Sequence, residues 1–160
     1  MKKIIIFLAM LFVSSQSMGQ TKDQYHEMIG QSLLKYIEDK QEFYNRFNMP
    51  LDFSSSYLLT EHYPIGYEFP QEVIDQGFKF GDWRDIEKRL RNSHINSLDK
   101  SIGVTGYLGP RIKGETIEIW FSNWGVYRKR NITCISSGPG FKVTWRYSTE
   151  EDKWILIDAE

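Results

Sequence analysis

From Thr21 to Phe47 the apolar residues Tyr25, Met28, Ile29, Leu33, Tyr36, Ile37, Phe43, Tyr44 and Phe47 recur at spacings of three and four, the period of a helix with one buried stripe. Lys22, Asp23, Glu27, Lys35, Glu38, Asp39 and Glu42 fill much of the remaining circumference, and Asn48 with Pro50 marks the stop. A second, shorter helix is expected to start at Asp82, whose carboxylate can accept the free amide hydrogens of the first turn. It carries Trp83, Ile86 and Leu90 on one face and ends near Asn92. The opposite face, with Arg84, Asp85, Glu87, Lys88, Arg89 and Arg91, reads as solvated surface.

From Ser101 onward the period changes to two. The strands predicted there are Ile102 to Leu108, Glu115 to Trp124, Val126 to Ile135, Phe141 to Tyr147 and Trp154 to Asp158. Gly109-Pro110, Gly125, Gly138-Pro139-Gly140 and the polar stretch from Ser148 to Lys153 divide them. Such short connections predict an antiparallel meander of four to five strands. Helices first and strands afterwards define an α+β class, with the long N-terminal helix and the second short helix packed on one face of a curved antiparallel sheet.

Residues 48–81 are interrupted by Pro50, Pro64, Pro70, Gly66, Gly77 and Gly81, yet they hold Phe53, Tyr57, Leu58, Leu59, Tyr63, Ile65, Tyr67, Phe69, Val73, Ile74, Phe78 and Phe80. So many apolar residues are expected to pack on the body, with short strands at Tyr57 to His62 and Ile65 to Phe69 and a turn or two of helix from Pro70 to Gln76.

Composition changes the picture mainly at the N-terminus. Lys2 and Lys3, the apolar run Ile4 to Val13 and the small, polar stretch ending Ser17-Met18-Gly19 have the layout of a secretory signal peptide, with cleavage between Gly19 and Gln20. The apolar run is well short of the roughly 18 to 20 residues that a membrane span requires. Residues 1–19 are therefore read as a leader and residues 20–160 as one exported domain, periplasmic or secreted. With Lys2 and Lys3 removed from the 20 basic residues, 18 face 21 acidic ones, a formal charge of −3 that disfavours nucleic acid as a partner. Cys134 is the only cysteine, so no internal disulfide is available; it is expected to be a buried thiol.

Alternation in the second strand places Ile117, Ile119 and Phe121 on one face and Glu118, Trp120, Ser122 and Trp124 on the other. If Tyr147 pairs with Trp154, then Val143, Trp145 and Tyr147 share a face with Trp154 and Leu156, while Ile155 and Ile157 point the other way. Apolar side chains on both faces call for a sheet that curves around a cavity or meets a partner. Trp120, Trp124, Arg128 and Arg130 are accordingly the candidate binding residues, since arginine stacks on aromatic rings and both residue types dominate binding hot spots.

Catalytic patterns are sparse. His26, His62 and His94 stand at no metal-ligand spacing, Ser54 to Ser56 lack the context of a nucleophile elbow, and Gly103, Gly106 and Gly109 form no phosphate loop and suit strand curvature or a bulge. Neither a metal nor a cofactor is expected.

The long first helix, the second short helix and a meander ending in Phe141-Lys-Val-Thr-Trp-Arg-Tyr, a charged turn and Lys153-Trp-Ile-Leu-Ile-Asp158 resemble the exported nuclear transport factor 2-like domains, cystatin-like cones of α+β class. The resemblance implies a pocket enclosed by sheet and helices, used in some members for catalysis and in many for ligand binding or pairing through the sheet. No catalytic motif of the enzymatic members is matched. The expected function is a non-catalytic module that binds a protein partner or a small apolar ligand, an immunity or inhibitor-type protein being one form of it. A small hydrolase or isomerase, with His62, Tyr63 and His94 as first candidates, and a structural homodimer are the alternatives.

Overall fold

Strict alternation along the central strand decides which side chains reach which layer. The computed structural model describes residues 2–93, 95 and 100–160, with side chains from Gln24 onward. Its elements are α1 (Lys2–Arg46), β1 (Tyr57–Leu59), α2 (Gln71–Ile74), β2 (Lys79–Gly81), α3 (Trp83–Asn92), β3 (Ile102–Lys113), β4 (Thr116–Lys129), β5 (Ile132–Ser137), β6 (Phe141–Ser148) and β7 (Lys153–Ala159). The strands form one curved, unclosed and mostly antiparallel sheet in the order β2-β1-β3-β4-β6-β7, with β5 also on β4. The α+β class and the long helix over this sheet are as the periodicity predicts. No helix among the described residues is long and apolar enough to cross a membrane.

The meander differs from expectation in two respects. β5 and β6 do not pair with each other; both lie along the same edge of β4, β5 on its second half and β6 on its first. Trp124 faces Ser137 and Phe121 faces Phe141, so three steps along β4 match four on the other side. Gly138-Pro139-Gly140 is thus an in-line bulge within one long strand path, because proline cannot donate to the ladder and the chain steps around it. Gly125 is no turn either: β4 runs through it, and the reversal comes at Arg130 and Asn131, whose φ values are 49° and 67°. Positive φ at both central residues is what a two-residue hairpin needs to match strand twist.

The second helix also lies elsewhere than expected. Ile29, Leu33, Tyr36 and Ile37 of α1 pack with Leu58, Tyr107, Ile119, Phe121, Val143 and Trp145. Ile86 and Leu90 of α3 pack with Tyr57, Leu59, Ile102, Val104 and Val126. Consecutive residues of β1 fall in different clusters, so α1 and α3 cover opposite faces. The half of the second apolar face around Ile102, Val104 and Val126 is therefore covered by its own chain, while Ile135 and Ile157 stay exposed.

Local chemistry explains the end of α1 and the start of α3. Met49 N donates to Tyr44 O at 2.9 Å and Asn48 takes φ 51°, the left-handed residue that ends α1. Asp82 caps α3 by accepting from Arg84 N and Asp85 N, and the Asp85 carboxylate accepts from Asp82 N in return. On the sheet side, Trp145 Nε1 donates to Ser32 Oγ at 2.9 Å and fixes α1 against β6.

Most apolar residues of 48–81 pack on the body, as their content predicts, but Ile65 and Ile74 stand exposed, on the turn after Pro64 and at the end of α2. β1 is followed at once by a 3-10 turn at Thr60–His62, and β1 pairs in parallel with both β2 and β3. Ile65 to Phe69 is not a strand; Tyr67 and Phe69 instead join a ring cluster with Tyr63. Cys134 lies on β5 outside both core clusters and is only half-buried, since β5 has a single neighbouring strand.

Two glycines of the three-residue series have specific tasks. Gly109, at φ 83°, sits in the bulge between Tyr107 and Pro110. At Gly106 a Cβ would lie 2.5 Å from the Trp124 ring and 2.7 Å from His62 Nδ1. Gly106→Val should therefore cost about 2 kcal/mol of stability through overpacking; an unchanged urea midpoint would show that this contact yields freely. Asp82→Ala should cost about 1 kcal/mol through loss of the α3 cap, read as a lower urea midpoint with unchanged slope.

Candidate functional site

Positions 36, 39, 40, 43 and 44 of α1 form a stripe at the i, i+3, i+4, i+7, i+8 spacing, and this stripe walls a partly open cleft of about 610 Å³. After the stop at Asn48, the chain folds back as the opposite wall, Pro50 to Phe53. Asp52 holds that return in shape by accepting from Ser54 N and Ser54 Oγ, each at 2.8 Å. These two hydrogen bonds keep its carboxyl below the usual range and therefore ionised. Phe53 stacks on Phe78 with ring centroids 4.2 Å apart.

The floor comes from the sheet: Thr105 on β3, Asn123 on β4, and Pro139 and Gly140 in the bulge. Tyr36 Oη donates to Asn123 Oδ1 at 2.5 Å and lies 3.0 Å from Thr105 Oγ1. Thr105 Oγ1 is 3.2 Å from Asn123 Oδ1, and Asn123 Nδ2 donates to Pro139 O at 2.8 Å. A proline carbonyl can only accept, so this last bond fixes which way the amide points. The bulge thus clamps the residue at the centre of the floor.

Electrostatics at this floor favour a neutral phenol. Burial pushes Tyr36 up to about 12; the hydrogen bond with Thr105 opposes this, and nearby Tyr44 and Asp39 reinforce it. The Lys40 ammonium stands 5.6 Å from the centre of the Tyr36 ring. Asp39, Lys40, Asp52 and Glu160 lie around the cleft, with Glu160 paired to Lys142.

The sheet-face candidates are distributed differently. Trp120, Trp124 and Arg128 share one face of β4, as alternation predicts, but each has its own surroundings. Arg111 and Lys142 lie over the Trp120 ring at 5.0 and 6.0 Å, and Trp120 Nε1 donates to Glu118 Oε2 at 3.1 Å. The Glu118 carboxyl is held below its usual range mainly by Lys113, 2.8 Å away. Trp124 packs near Trp83 and His62, each with ring centroids 6.1 Å from its own, and is the only one of the four bordering the cleft. Arg128 and Arg130 border a separate cavity of about 280 Å³ with Arg91 and Asn131.

Tyr63 and His62 do not come together as a catalytic pair. Tyr63 is buried in the α1-side core, stacked between Tyr67 and Tyr107 at 5.3 and 5.4 Å, whereas His62 meets Trp124. Neither borders the cleft, and His94 lies outside the described residues. Burial drives the Tyr63 phenol well above its ordinary value, and its hydroxyl has no partner among the described residues. No group of three or more His, Cys, Asp or Glu that could hold a metal ion occurs among the described residues.

Tyr36, Thr105 and Asn123 carry no motif that marks them as a set. The signal available was the polar interruption of α1's apolar stripe at Asp39 and Lys40, one turn from Tyr36. No family model matches the chain, and no curated protein or solved structure is significantly similar to it.

The Tyr36 proton yields a pH prediction. Folded, it leaves at about 12; in the unfolded chain it leaves at the ordinary value of 10.0. Between these values the unfolded chain has released a proton that the fold retains, so stability that is complete below pH 10 falls as pH rises through the window. Phenolate absorbance of wild type minus Tyr36→Phe should rise only near the upper value. A difference already complete near the lower value would mean the floor is hydrated.

Proposed function

We propose that this chain is a non-catalytic exported binding module whose ligand occupies the cleft between α1 and the sheet. The observation that carries the reading is the cleft itself. A volume of about 610 Å³ falls within the usual range for small-molecule sites. Aromatic walls supply apolar area, and three converging polar side chains supply orientation. The export component rests on the N-terminal pattern from Lys2 to Gly19.

A pocket between a long helix and a curved sheet is also what the resemblance to the nuclear transport factor 2-like cones leads one to expect. The sheet-face alternative has less support, because α3 covers one half of that face and Arg111, Lys142 and Glu118 occupy the ring and indole N–H of Trp120 in the other. His62 and Tyr63 lie apart and neither borders the cleft, so those two do not supply it with a paired acid and base.

The test uses a neutral apolar reporter, N-phenyl-1-naphthylamine, whose emission rises in a dry site. Ser55 is exposed at the cleft wall, so Ser55→Trp should plug it without touching the core. Reporter emission should rise with the wild-type chain and fall to background with Ser55→Trp, at an unchanged melting temperature. No enhancement, or equal enhancement with the plugged variant, would sink the reading.

A further inference from the structure

Counting protons on the cleft floor shows what a ligand must bring. Tyr36 has one hydroxyl proton, and it goes to Asn123 Oδ1. Thr105 has one, directed to Asn123 Oδ1 or to Tyr36 Oη. Asn123 has two amide protons, one committed to Pro139 O. What remains is mostly acceptor capacity: lone pairs on Thr105 Oγ1 and Tyr36 Oη, against the single remaining Asn123 N–H. Nor can Tyr36 change this balance by ionising near neutrality, since its phenol is pushed up to about 12.

The charges around the cleft point the same way. Among the described lining residues, Asp39, Asp52 and Glu160 stand against one cation, Lys40, and Lys79 acts on Asp52 from outside the lining. Glu160 is paired to Lys142, and the Asp52 carboxyl is stabilised in its charged form. Tyr36 already holds one ammonium, that of Lys40, over its ring. Anionic ligands would meet carboxylates and lone pairs, and a neutral polyol would find few donors for its own oxygens.

We infer that the cleft selects a protonated primary amine carrying an apolar or aromatic body, bound with its N–H groups on Thr105 and Tyr36 oxygens and its body against Phe53, Phe78 and Phe141. This rests on the proposal that the cleft is the binding site. The ammonium contributes charge toward Asp39 and Asp52 and the hydrogens that the floor lacks, and charge-assisted hydrogen bonds are the stronger kind. A quaternary ammonium would satisfy the charges and rings but not the lone pairs, so the two contributions are separable.

The experiment is displacement of N-phenyl-1-naphthylamine from the full chain by phenethylammonium, benzyltrimethylammonium, phenethyl alcohol and phenylacetate. Phenethylammonium should compete about tenfold better than phenethyl alcohol, with benzyltrimethylammonium between them and phenylacetate weakest. Thr105→Val should bring phenethylammonium down to the level of benzyltrimethylammonium. Asp39→Asn, on the exposed side of α1, should narrow the advantage of both cations and keeps the test intact if the buried Thr105 variant does not fold. Competition by phenethyl alcohol or phenylacetate equal to that of the amine would overturn the inference while leaving the cleft as a binding site. Absence of reporter binding, or equal binding to Ser55→Trp, would remove both.

Discussion

The two-sided demand of β4 governs the rest of this structure. Its odd-numbered residues Ile119 and Phe121 are completely buried under α1, while Val126, of opposite parity, is completely buried under α3. A slip of one residue against β3 would exchange the two sets and put Glu118 and Trp120 under the long helix. Register is therefore held from both edges, by β3 over almost the whole length and by β5 and β6 in succession. Covering only one side would leave a large apolar face in water, so α3 follows from the composition of the strand as directly as α1 does.

The cleft is a by-product of how this demand is met at one end. α1 continues past the sheet residues it covers, and its final turns, from Asp39 to Tyr44, meet the returning chain at Pro50 to Phe53 in place of a strand. Two surfaces that cannot close on each other leave the gap, and the bulge at Pro139 turns an amide into its floor. Polar groups can be buried there because each has at least one partner within the set: Thr105, at 3% exposure, has both Tyr36 and Asn123 within reach, which still leaves acceptor lone pairs over.

How far the sequence reveals this depends on whether a feature is periodic or compensatory. The stripe of α1, the Asp82 cap, the period of two and the pairing of Tyr147 with Trp154 follow from local rules that nothing else in the fold opposes. Gly125, Arg130 and Asn131 mislead because glycine is a common turn signal, whereas left-handed arginine is not, and tertiary pairing across β4 overrode both cues. The side of the sheet taken by α3 is invisible to periodicity, which gives a helix a face but no direction. Tyr36 reads as an ordinary member of a core stripe; its hydroxyl acquires a task only because Thr105 and Asn123, 69 and 87 positions away, arrive beside it.

The bond between Ser32 and Trp145 joins residues 113 positions apart. Synthesis delivers the chain from its N-terminus, so α1 emerges with its stripe complete and most of the sheet it needs still unmade. β6 and β7 are the last strands to appear, and only with them does the seat for Trp145 beside Ser32 exist. Of these elements the first to emerge is thus among the last to be covered, and in the interval its apolar stripe is open to aggregation.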